Sequence, residues 1–133
     1  MSEAAKQWPT ETVPVLSLKR HPRNYREHRP EQVAHIVASI RQHGFYRNVV
    51  IANDNTILAG HGVVAACKEM GLDAVPVVRL DIAPDSPLAL KLLTGDNEIS
   101  RGADTDDRVL AEILRDVMDG DPMNLIGTGY DDK

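Results

Sequence analysis

The chain has 133 residues, which fits one domain with one modest core. Hydrophobic residues make up 42% and charged residues 26%, a balance that folds rather than stays disordered. The formal net charge of -5 excludes a general DNA-coating role, and a lone cysteine, Cys67, excludes a disulfide framework and any multi-cysteine zinc site.

No apolar run is long enough to span a bilayer, and the N-terminus lacks the apolar stretch of a signal peptide, so a cytoplasmic protein without membrane partners is expected. Aromatic residues are only 4%, so aliphatic side chains must fill the core. Charge is uneven: Lys19 to Arg47 is rich in Arg, Lys and His, whereas Asp96 to Lys133 is acidic.

Residues 1–12 read as a flexible N-terminal segment, in which Trp8 either docks on the body or marks a partner contact. Val13 to Leu18 reads as a first strand, and Pro14 confines it to an edge or a strand start. His21-Pro22-Arg23-Asn24-Tyr25-Arg26 has turn chemistry and no period, so it is a loop. Pro30 opens a helix at the first-turn position that proline tolerates. Val33, Ile36, Val37 and Ile40 form its apolar stripe, and Gly44 stops it. Val49–Ala52 and Thr56–Ala59 are two short strands joined by an Asn53-Asp54-Asn55 turn.

Gly60-His61-Gly62 follows, and a helix starts at once with Val63, Ala66, Cys67 and Met70 as its apolar stripe and Gly71 as its stop. Val75 to Leu80 is the last strand. Ser86-Pro87 starts a helix that runs to about Leu93. Thr105 caps a final helix with Asp106 and Asp107 in its first turn and Leu110, Ile113, Leu114 and Val117 as a buried stripe. Residues 13–118 thus form the domain, and 119–133 a tail that reads either as a cut from a longer protein or as a frayed terminus.

Three constellations carry chemistry. In the Gly60-His61-Gly62 loop, a helix start leaves backbone N–H groups unpaired with a partial positive charge. The glycines let that backbone approach a ligand, and His61 is a donor to phosphate or an acid or base. The bland alternative is a plain tight turn. The second is Arg23 and Arg26 with Arg47, suited to bidentate phosphate recognition or, more plainly, to a solvated surface. The third is Asp96-Asn97-Glu98 with Arg101, which suits a magnesium ion beside a phosphate or ordinary helix-end polarity. His21, His28, His35 and His43 lack metal-ligand spacing, and Cys67 sits on an apolar stripe rather than in a nucleophile's setting.

In this order the segments resemble the ParB N-terminal domain of the ParB/sulfiredoxin-like superfamily, over about Val13 to Val117. The residues that carry the likeness are Pro22-Arg23-Asn24, then Ser39-Ile40 through Gly44, the hairpin, "ILAGHG" with "VVAACKEMG", "AVPVV", and "TGDNEISR". The resemblance implies an α/β (α+β) fold, a small mixed sheet of about four strands packed with about four helices. The Gly-His-Gly form looks closer to phage or mobile-element ParB-like nuclease-domain proteins than to the chromosome-segregation form, in a phage, plasmid or DNA-modification context.

The resemblance implies nucleotide or phosphate binding at Gly60, His61, Gly62, Arg23, Arg26, Arg47, Asn97 and Arg101. The nucleotide would be CTP or ATP with Mg2+, the metal lying at Asp96 and Asn97. Chromosome-segregation members carry Gly-Glu-Arg-Arg in this loop, with a further arginine in the helix. Here His61, Gly62, Val63 and Ala65 stand at those positions, so most triphosphate-binding arginines are missing. The sulfiredoxin cysteine is also absent, since Gly60 precedes His61.

The resulting expectation is a nucleotide-binding domain of a DNA-associated protein, with DNA contacted through another domain or chain and a homodimer left open. Two alternatives stand beside it. One is a metal-dependent phosphoryl-transfer enzyme (a nuclease, an NTPase or a small-molecule kinase), with His61, Asp96 and Glu98 as catalytic candidates. The other is a non-catalytic protein-interaction module.

Overall fold

The computed structural model describes residues 7–24, 27–101 and 107–118, the side chains of 96–101 excepted. Four strands and four helices follow in the order β1 (Thr10–Pro14), α1 (Pro30–His43), β2 (Val49–Ile51), β3 (Ile57–Ala59), α2 (His61–Glu69), β4 (Ala74–Arg79), α3 (Pro87–Arg101) and α4 (Asp107–Met118). The strands form one mixed sheet in the order β1-β4-β2-β3, antiparallel at both outer pairs and parallel between β4 and β2. This is the small mixed α/β architecture expected.

The first strand starts three residues earlier than the sequence suggests and ends at Pro14. Val15–Ser17 is a single 3-10 turn instead of strand. Its geometry is held by Ser17 Oγ donating to the Pro14 carbonyl at 2.6 Å and by Val15 N–H donating to Asp73 O at 2.9 Å. The edge position predicted from Pro14 holds. Pro76 is tolerated in an internal strand because it precedes Val77–Arg79, where β4 is paired on both sides.

Alternation along the strands divides the core into two layers. Val13, Val49, Ile51, Ile57, Val75 and Val77 face one side and pack with Val64 and Cys67 of α2. Ala52 and Leu58 face the other, with Ala89 of α3 and partly buried Val50, Ile82 and Leu92. Each large aliphatic side chain buried contributes about 1.5–3 kcal/mol, so the first layer, with more and larger buried residues, carries most of the stability.

Gly44 adopts φ 75° and donates its N–H to Ile40 O at 2.7 Å, which terminates α1 as read from the sequence. The β2–β3 turn also forms as expected. Asn55 takes the left-handed φ of 73°, and Asp54 Oδ1 accepts the Thr56 N–H at 3.0 Å. Arg79 fastens this turn to the sheet, donating to Asn55 Oδ1 at 2.7 Å, Asn53 O at 3.1 Å and Glu11 Oε1 at 2.8 Å.

Two helices differ from expectation. Helix α3 runs on to Arg101 rather than ending near Leu93. The stripe on α4 is not buried: Ile113 is 52% and Val117 37% exposed, and no α4 residue is buried. A stripe read from periodicity needs a facing surface to become core, and α4 has little on it. Trp8 is 39% exposed and lines a shallow groove with Val50, Val78, Leu80 and Leu92. Among the described residues no helix is long and apolar enough to cross a membrane. Tyr25, Arg26, Thr105, Asp106 and the tail lie outside the described residues.

Candidate anion site at the start of α2

The chain leaves β3 at Ala59 and turns into α2 through Gly60, which adopts the left-handed φ of 95° and has no side chain to cap the helix. The first intrahelical bond runs from Val64 N–H to Gly60 O at 3.1 Å. By helix geometry, the amides of His61, Gly62 and Val63 therefore point out of the N-terminal end.

Both glycines are explained by protein contacts. A Cβ on Gly60 would lie 3.1 Å from the Val49 Cα, and one on Gly62 would lie 2.9 Å from both His28 Cε1 and Ile36 Cδ1. The sequence reading had them open the backbone to a ligand. Their first role is to let β2, α1 and the segment before α1 press against this turn. Arg47 precedes β2 by two residues, and its guanidinium lies 5.9 Å from the centre of the Tyr46 ring.

The loop after the 3-10 turn closes over His61. His21 is only 2% exposed and bonds through every polar group it has. Its Nδ1 accepts the Arg23 N–H at 3.0 Å, its Nε2 bonds the Pro84 carbonyl at 2.8 Å, and its carbonyl accepts the Asn24 N–H at 3.1 Å. Its own N–H donates to His61 Nε2 at 3.3 Å. His28 Nδ1 pairs with Gln32 Oε1 at 2.9 Å.

Burial, and then the positive charges of His28, Arg20 and His21, push the His61 imidazole down to a pKa of about 4. His61 is thus uncharged near neutral pH. That makes it a neutral hydrogen-bonding group near the Arg20 guanidinium, and a poor proton acceptor for catalysis. Burial pushes the Cys67 thiol up, so this cysteine is an inert core residue as expected.

The structure therefore joins Gly60, His61 and Gly62 to the loop carrying Arg23, while Arg47 is exposed and packs against Tyr46. Arg26 lies outside the described residues. Asp96, Asn97, Glu98 and Arg101 lie on the last turns of α3, and their side chains are not described. Among the described residues no three His, Cys, Asp or Glu side chains converge as a metal site. Sequence reasoning missed Arg20, His21 and His28 as neighbours of His61. Their separation from it is 33 to 41 residues, and no local spacing signals such a contact.

Residues 2–95 match the family model of the ParB N-terminal domain. Among curated relatives, the ParB-like nuclease domain-containing protein YnaK of Escherichia coli (strain K12) is 42% identical over 67 residues, covering 50% of this chain and 77% of YnaK. Solved structures share the fold at lower identity. A C-terminally truncated chromosome-partitioning protein ParB from Caulobacter crescentus, complexed with CTP-gamma-S, has a TM-score of 0.64 at 22% identity, covering 90% of this chain and 71% of that one. A pNOB8-like ParB N-domain has a TM-score of 0.59 at 15% identity, covering 78% of this chain and 40% of that one. The Caulobacter crescentus protein complexed to the centromeric parS site has a TM-score of 0.52 at 19% identity, covering 91% and 64%.

Proposed function

The chain belongs to the ParB N-terminal domain family, and on that footing we propose that residues 10–118, including the Thr10–Thr12 start of β1 that reads as flexible from sequence alone, form a module that takes the phosphates of a nucleotide at the start of α2. The observation that carries this reading is the setting of His61: Arg20 lies close enough to act on it, and the His21 and His28 segments close over the same uncapped helix start. Unpaired helix amides and the nearby Arg20 guanidinium together favour an anion. The donors here are N–H groups, which suit phosphate oxygens rather than a metal ion. Phosphate would accept from the first-turn amides and from His61, with Arg20 and Arg23 supplying charge.

CTP and ATP are the nucleotides of choice, CTP because the Caulobacter crescentus relative is complexed with its thio-analogue. Where that family form uses arginines beside the loop, this chain has His61, Gly62 and Val63. Binding without the arginine-rich grip fits a weaker or simpler phosphate ligand. Mg2+ would be held by Asp96 and Asn97. In this reading the protein is DNA-associated, with DNA held by another domain or chain, since the net charge is -5.

A thermal-shift panel of CTP, ATP, GTP and UTP with and without magnesium tests the proposal. A ligand that binds only the folded state raises Tm by mass action. No shift with any nucleotide at millimolar concentration sinks it. The likeness to YnaK, whose name carries a nuclease domain, favours a second reading: metal-dependent phosphoryl transfer. With His61 near pKa 4, its acid–base work would fall to Asp96 and Glu98. Metal-dependent cleavage of DNA that vanishes in Asp96→Asn would support it; absence of any turnover would end it.

A further inference from the structure

We infer that His21 is the positioning residue of this site: its imidazole fixes the loop whose backbone amide fixes His61, and so selects which nitrogen of His61 carries the proton. The inference takes its consequence from the anion-site reading, while its geometry stands alone. His21 Nδ1 accepts a backbone N–H, that of Arg23, so this nitrogen carries no proton. Its Nε2 faces the Pro84 carbonyl, which can only accept, so Nε2 carries the proton. Both bonds are satisfied only by the neutral ring in that one tautomer.

The bond to Arg23 spans two residues, as in an Asx turn, and replaces the side-chain oxygen that usually closes one. It shapes the loop so that the His21 N–H reaches His61 Nε2 at 3.3 Å. His61 Nε2 is then an acceptor, and its proton must sit on Nδ1. His21 and His61 are thus opposite tautomers linked through one amide. His61 meets a ligand with Nδ1–H as its single side-chain donor, beside its backbone N–H. The bond to Pro84 ties the same loop to the segment just before α3.

The charged and titratable groups facing His61 are Arg20 and His21 from this loop and His28 from the segment before α1.

Long-range proton–nitrogen NMR on protein labelled at histidine tests the inference without any ligand. In the wild-type protein, His61 is expected to show a protonated Nδ1 and a bare Nε2, and His21 the reverse. His21→Phe keeps the bulk and removes both side-chain bonds. His61 should then lose its single-tautomer pattern, and its titration midpoint should rise by about one pH unit or more as water replaces the amide. His21→Asn restores an acceptor for the Arg23 N–H and should keep the wild-type His61 pattern.

A His61 protonated on Nε2 in the wild-type protein overturns the inference, whatever the variants do. So does a folded His21→Phe with unchanged His61 signals, or a His21→Asn that loses them. Inorganic phosphate then separates the two readings. It should bind several-fold more weakly to His21→Phe than to wild-type. Phosphate that fails to bind a wild-type protein with the expected tautomers refutes the anion site and leaves the role of His21 standing.

Discussion

At the start of α2, a Cβ on Gly60 would sit 3.1 Å from the Val49 backbone; just past its end, a Cβ on Gly71 would meet nothing within 4 Å. Both residues adopt a left-handed φ, 95° and 69°. At Gly71 the glycine serves only the turn. At Gly60 it serves the turn and a close approach of two chain segments. The comparison teaches that a glycine-flanked motif at a helix start can be dictated by packing before any ligand is considered. The functional content of the loop then lies with His61 and the charges around it.

The largest expected effect comes from Gly60→Ala. Left-handed strain and a backbone clash add, for a loss of about 3 kcal/mol in urea unfolding. A loss under about 1 kcal/mol would show that the loop can lift off Val49 and would collapse the contrast with Gly71.

Acidification comes next. The folded pKa of His61, about 4, lies below its ordinary 6.5, so the unfolded chain binds the proton more readily. The stability His61 contributes is complete above pH 6.5 and is lost as pH falls towards 4. Allowing for partial solvation of the ring, the loss is about 2 kcal/mol. Tm measured between pH 7 and pH 4 should fall, and His61→Asn should flatten that profile relative to wild-type. Parallel profiles would remove His61 from the account.

Gly71→Ala should cost about 1 kcal/mol, from strain alone. A cost matching Gly60→Ala would mean that packing matters equally at both ends. The smallest effect on stability belongs to Gly62→Ala. Its Cβ would push the tips of His28 and Ile36, while gaining about 1 kcal/mol of helix propensity, so the net change should stay within about 1 kcal/mol. Its signature is electrostatic: with the His28 charge displaced, the His61 midpoint should rise. An unmoved midpoint would mean that His28 contributes little to the field.

Much of this fold was legible because it is local. Pro30 and Gly44 bracket α1, Asn53 to Asn55 make the turn, and a valine-rich run marks β4. The start of β1 was missed because Thr10 to Thr12 are polar and become strand only by pairing with Val78 to Pro76. Burial on α4 was overestimated because periodicity reports amphipathicity, and not what lies opposite. The Gly60-His61-Gly62 loop was located from sequence, yet its state was not. The charge of His61 depends first on its burial and then on His28, Arg20 and His21, all of which only tertiary structure supplies.

The strand order has a consequence for synthesis of the chain on the ribosome. β1 is made first, but its partner is β4, and β4 is also the sole bridge between β1 and the β2–β3 pair. The hairpin can form as soon as it emerges, whereas the N-terminal strand must wait until Arg79 has been made. Until then its edge and the hairpin's edge are both unpaired, exposed to association with other nascent chains. The arrival of β4 closes both at once, and Arg79 locks Glu11 to the hairpin turn in the same step. In vivo yield should therefore be more sensitive to changes in β4 than to changes of equal stability cost in α4.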